Sequence, residues 1–130
     1  MRFRRSALLP ALALLTVVAL VLSCGGKDST SPPPPPTGPT FNFTYSGAGG
    51  SNSFTFTEAG DWAYRCTFHS TFGMTGTIFV RESSTRTSAT VTVAPGNALV
   101  FSPDTVTIKT GGTITWTSGA VTVAHTATRP

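Results

Sequence analysis

The chain has 130 residues, of which 11% are charged, 10% are aromatic, 13 are Gly and 10 are Pro. That length holds one domain rather than two, and so little Glu and Lys excludes a helical bundle or coiled coil in favour of β structure. Three of the nine basic residues, Arg2, Arg4 and Arg5, precede residue 6. Beyond residue 23, six basic residues meet five acidic ones, so the body is near neutral. It lacks the basic face of a nucleic-acid binder and offers little for paired-carboxylate catalysis.

Residues 1–5 are basic, residues 6–22 are apolar, and Val21-Leu22-Ser23-Cys24 follows. This pattern predicts a signal peptide over residues 1–23. A Cys directly after the apolar run resembles a bacterial lipobox, which implies that Cys24 is acylated and anchors the chain in a membrane. Gly25 after it resembles lipoproteins sorted to the outer membrane. The implied location is the cell envelope, lipid-anchored and facing the periplasm. The competing reading is a plain transmembrane anchor, since the apolar run is near the minimum span. Both readings export the body and tether it. Residues 24–40 then form a tether, in which the unbroken run Pro32 to Pro36 favours stiff polyproline II.

From Phe41 onward the pattern has period two, interrupted by turn residues. Residues 41–45 are one strand, and the glycines of 46–52 make a loop. Phe54 and Phe56 alternate with Thr. Trp62, Tyr64 and Cys66 share one face of the next strand, so Cys66 falls on the side its aromatic neighbours bury. Residues 75–80 form a further strand, and polar residues 81–88 a linker. Val91/Val93, Leu99/Phe101, Val106/Ile108 and Ile114/Trp116 each give an alternating pair. Gly111-Gly112 signals a hairpin turn. A last run covers residues 120–124. About eight or nine short strands with no helical period predict an all-β sandwich occupying residues 41–130.

One segment carries chemistry: Cys66-Thr67-Phe68-His69-Ser70-Thr71-Phe72-Gly73-Met74-Thr75-Gly76. If Cys24 is acylated, Cys66 is the one remaining thiol of an exported domain, which suits it to burial or to occupation by a ligand. A buried, inert Cys is the plain alternative. The chain has two His and, besides Met1, a single Met. A loop between two strands folds a thiolate, an imidazole and a thioether onto one point. Those donors suit copper, whereas zinc draws on further Cys or His. A catalytic Cys-His pair is the other reading, without an evident orienting Asn or Asp.

The aromatic run into Cys66, the C-x2-H-x4-M spacing and the Gly-Met-x-Gly exit resemble the blue-copper cupredoxin family, plastocyanin-like and azurin-like. The resemblance implies a Greek-key sandwich holding copper, cycling between Cu(I) and Cu(II), in a type 1 site. Cys66 would be the equatorial thiolate, His69 the C-terminal histidine ligand and Met74 the axial ligand. The family's remaining histidine normally precedes the Cys, and no His lies before Cys66. Residues 97–117 resemble the family's N-terminal half, through a Phe-x-Pro approach, a Val-x-Ile-Lys strand, a Gly-Gly turn and a Thr-Trp strand. His125 then stands where the first histidine belongs. Residues 41–80 thus resemble the C-terminal half and 89–126 the N-terminal half. The order is that of a circular permutant, bridged by a linker that can reach well over 20 Å at about 3.3 Å per residue. The strand following that histidine in the family would come from residues 41–45. The alternatives are that His125 is a frayed tail residue, or that a second chain completes the site.

The implied function is one-electron transfer at the envelope, with transient redox protein partners, no nucleic acid, no small-molecule substrate and no enzymatic turnover. Phe68 beside His69 reads either as core packing or as the apolar patch where the family's partners dock. The rival functions are a copper carrier or storage module and a metal-free surface module.

Overall fold

The structure, a computed structural model, describes residues 38–130. The signal peptide, Cys24 and the polyproline run of the tether lie outside the described residues. Nine strands follow in chain order: β1 (Phe41–Tyr45), β2 (Gly50–Phe56), β3 (Gly60–Arg65), β4 (Thr75–Val80), β5 (Ser88–Val93), β6 (Phe101–Ser102), β7 (Thr105–Ile108), β8 (Gly112–Ser118) and β9 (His125–Arg129). One sheet has the order β1-β9-β3-β4-β7 and the other β2-β8-β5-β6. Pairing is antiparallel except for β4 with β7 and β5 with β8. The two short 3-10 turns, Ser70–Phe72 and Pro95–Asn97, are the only helical pieces among the described residues.

The two-residue period explains the sandwich. β4 buries Ile78 and Val80, and β8 buries Ile114 and Trp116 while turning Thr113, Thr115 and Thr117 outward. The inward faces meet around Trp116, which is fully buried. Its ring centroid lies 4.8 Å from that of Phe41 and 5.5 Å from that of Tyr64, both on the opposite sheet. The Tyr45 hydroxyl donates to the Trp116 carbonyl at 3.3 Å, a second tie between the sheets. Burying side chains of this size contributes about 1.5–3 kcal/mol each.

Four expectations are corrected. The run 120–124 is a loop, not a strand. Its alternation mimics one, but the Val121 N–H donates to the Gly47 carbonyl and the Thr122 N–H to Asn97 Oδ1, so its backbone pairs with other loops. The strand begins at His125 instead. β9 therefore supplies its own continuation after His125, and β1 pairs alongside it rather than replacing it. Gly111-Gly112 does not close a hairpin. β7 and β8 lie in different sheets, and the Gly111 N–H donates to the Phe56 carbonyl as the chain crosses between them. The Leu99/Phe101 run contributes only the two-residue β6.

The β3–β4 hairpin positions the Cys-His-Met segment. Its last paired residues are Arg65 and Thr75, which leaves Cys66 and Met74 as the two feet of the loop. Tyr64 pairs with Gly76, and a Cβ at Gly76 would overlap the Tyr64 ring. That ring is itself packed against Phe101 and Trp116, so it has no room to yield. Gly76→Ala is expected to destabilise the fold by about 1–3 kcal/mol, the cost of overpacking a filled core. Equilibrium denaturation of the variant against the parent reads this directly.

Candidate metal centre

The loop 66–74 closes on itself through its backbone. The Cys66 N–H donates to the Met74 carbonyl at 3.0 Å, and the Met74 N–H donates to the His69 carbonyl at 3.2 Å. The His69 N–H in turn donates to the Cys66 carbonyl at 3.3 Å. Ser70–Phe72 makes one 3-10 turn, and Gly73 leaves it at φ 85°, a left-handed conformation that suits glycine. These bonds fold a nine-residue stretch so that residues spaced three and five apart converge.

Cys66 Sγ lies 3.4 Å from His69 Nδ1. Metal bonds of about 2.3 Å to sulfur and about 2.0 Å to imidazole nitrogen put two donors of one ion roughly 3.5–3.8 Å apart at tetrahedral to trigonal angles. The observed separation is close to that. His125 opens β9 and enters from the other end of the sequence. Its ring centroid lies 4.7 Å from that of His69, and donor atoms of Cys66, His69 and His125 all fall within 4.8 Å of one another. A single chain thus brings the three together. His125 is no tail residue: it is fully buried and paired with Tyr45 in the β1–β9 ladder.

His125 is also the residue that most needs a partner. Both its ring nitrogens are buried, and neither has a hydrogen-bond partner. An unsatisfied buried polar atom costs about 1–3 kcal/mol. Burial, and then the neighbouring His69, hold the His125 pKa below the ordinary imidazole value. The ring is therefore neutral near pH 7, and a neutral imidazole presents the lone pair a metal takes. The thiol, two imidazoles and an orphaned buried nitrogen fit a soft-to-intermediate metal ion. Met74 is fully buried at the foot of the same loop, tied by its backbone to Cys66 and His69.

One residue that sequence reasoning missed is Thr126. Its backbone N–H donates to Cys66 Sγ at 3.3 Å. Its hydroxyl accepts from the Thr67 N–H at 2.8 Å and bonds the Thr67 hydroxyl at 3.1 Å. The strand that carries His125 is thereby clamped to the loop that carries Cys66. In a chain with Thr on most of its strands, nothing marked this one beyond its place next to His125.

His69 is half-buried, and two exposed rings flank it. Phe68 and Phe72 are 56% and 71% exposed, each with its ring centroid 6.4 Å from the imidazole. Phe68 is therefore surface rather than core, and Phe72 joins it in a small apolar rim.

Residues 39–81 match the model of the copper-binding proteins of the plastocyanin/azurin family. That span covers β1 to β4 and includes Cys66, His69 and Met74. No curated protein and no solved structure matches the chain. The family match and the Cys-His-His cluster together identify copper as the metal the site takes. Thr126→Val keeps the shape of the side chain and the backbone N–H to sulfur, but leaves the Thr67 N–H without its acceptor. The variant is expected to lose about 1–3 kcal/mol of stability in denaturant titration, with the cysteine still buried to thiol reagents.

Proposed function

We propose that this chain, similar over residues 39–81 to the plastocyanin/azurin copper-binding proteins, is a one-electron carrier of the cell envelope. The observation that carries the reading is the buried His125, its two nitrogens unpartnered, beside Cys66 and His69. Copper, when bound, supplies the one-electron couple. Cys66, His69 and His125 would hold it, with Met74, buried at the foot of the same loop, as the further donor. The residues do the rest. The buried Cys66 and His125 are fixed at the junction of a hairpin loop and a strand end, so they stay in place as the charge changes. Little rearrangement then opposes transfer. The Thr126 N–H stabilises negative charge on the Cys66 sulfur, and burial excludes water, both of which tune the potential.

The half-exposed His69 edge between Phe68 and Phe72 would be the port. A rim of this size suits weak, brief encounters with other redox proteins. The envelope location is supported by the basic start, the apolar run and Cys24 in the N-terminal sequence. A copper store would use the same donors, so reversible cycling is what separates the two.

The test is optical. The protein loaded with Cu(II) is expected to show an intense thiolate-to-copper band that a one-electron reductant bleaches and an oxidant restores over repeated cycles. His125→Ala is expected to abolish the band or shift it markedly. A band that does not return after reduction would favour the carrier or store, and no band at all would overturn the copper reading.

A further inference from the structure

A metal-ligating histidine is ordinarily oriented by a hydrogen bond from its second ring nitrogen to a carboxylate, a carbonyl or water. His125 has no such bond: both its nitrogens are buried without a partner. One is left for the ion, and no side chain or carbonyl holds the other. The direction of the ring is therefore set by its packing and by the backbone on either side. On the C-terminal side the β1–β9 ladder fixes that backbone, through the pairing of His125 with Tyr45. On the N-terminal side there is no ladder. Residues 119–124 run as a loop, and 122–124 are exposed. Two N–H groups tie this loop to others: Val121 to the Gly47 carbonyl at 2.8 Å, and Thr122 to Asn97.

The second tie is built against the backbone's preference. Asn97 ends the 3-10 turn Pro95–Asn97, around which Ala94, Gly96 and Asn97 have φ of 49°, 61° and 64°. Gly enters that left-handed region freely, Asn tolerates it, and Ala avoids it. Two non-glycine residues persist there only where surrounding contacts hold them. The Ala94 N–H donates to the Val100 carbonyl at 3.0 Å, which closes the loop between β5 and β6. Asn97 Oδ1 accepts both the Thr122 N–H at 2.8 Å and the Thr122 hydroxyl at 3.2 Å. Thr122 stands three residues before His125. We infer that Asn97 is a positioning residue for His125. Its amide oxygen holds the chain that enters β9, and so fixes how the unpartnered imidazole faces Cys66 and His69. That His125 serves as a ligand rests on the copper reading; the positioning itself is measurable without metal.

Three variants of the intact chain, kept in detergent, test this. Asn97→Gly keeps the left-handed backbone and removes the acceptor, and Asn97→Asp keeps both. Thr122→Val removes the hydroxyl's bond alone. In the metal-free protein the ring signals of His125 are read by NMR. They are expected to broaden or split in Asn97→Gly and to match the parent in Asn97→Asp. After loading with Cu(II), copper affinity is read in competition with a chelator. It is expected to fall about tenfold in Asn97→Gly, as when a ligating histidine loses an outer partner. Asn97→Asp is expected to restore it, with Thr122→Val between the two. Unchanged ring signals or unchanged copper affinity in Asn97→Gly would overturn the inference, because a merely structural bond changes stability in denaturant and nothing else. Asn97→Asp behaving as Asn97→Gly does would overturn it equally. If the parent takes up no copper, the copper reading fails, and the ring signals of the metal-free protein still decide the positioning role.

Discussion

A single contact ties the site together: the N–H of Thr126 donating to Cys66 Sγ. The sulfur stands at the foot of the β3–β4 loop, and the donor sits one residue past His125 at the start of β9. Sixty residues separate the two partners. Bringing them together requires the whole second half of the chain to fold back, because β9 reaches its place only by pairing with β1 and touching β3. The buried His125 then faces His69 with both nitrogens unsatisfied. The fold accepts that cost at one point in its interior, and a metal ion is the partner that removes it.

The sheets show why the two halves of the chain cannot act as separate modules. β1 to β4 and β5 to β9 contribute to both sheets, and the pairs β1–β9, β2–β8 and β4–β7 each join one half to the other. Trp116 packs against Phe41 and Tyr64 across the same divide. Phe41 and Arg129 are register partners, so the first and last strands lie side by side. The linker between β4 and β5 is no loose strap: the Lys109 N–H donates to the Arg86 carbonyl and the Thr113 N–H to the Thr87 carbonyl.

Much of this was legible in the residues because short-range chemistry dictated it. The alternation of Trp62, Tyr64 and Cys66 put the cysteine on the buried side, and the Gly-Met-x-Gly exit carried the family resemblance. The Cys-His-Met spacing named a loop that could converge. What failed was long-range. Residues 120–124 alternate as a strand does, yet their partners are loop atoms at Gly47 and Asn97, which no local pattern encodes. Gly111-Gly112 carries the same turn signal whether the next strand pairs with the last or crosses to the other sheet. The resemblance named His125 as a ligand, but the choice between an interior ligand and a frayed tail residue rests on the β1–β9 ladder, whose partners lie eighty and more residues apart in sequence.

The central claim is that one chain supplies Cys66, His69 and His125 to one ion. Complementation tests it most directly. Cys66→Ser and His125→Ala are unfolded together, mixed in equal amounts, refolded and loaded with Cu(II), beside each variant alone. If one chain builds the site, every intact set of donors is lost and the mixture shows no band beyond what Cys66→Ser and His125→Ala show separately. A blue band that appears only in the mixture would mean that β9 of one chain completes the loop of another, and would contradict the account.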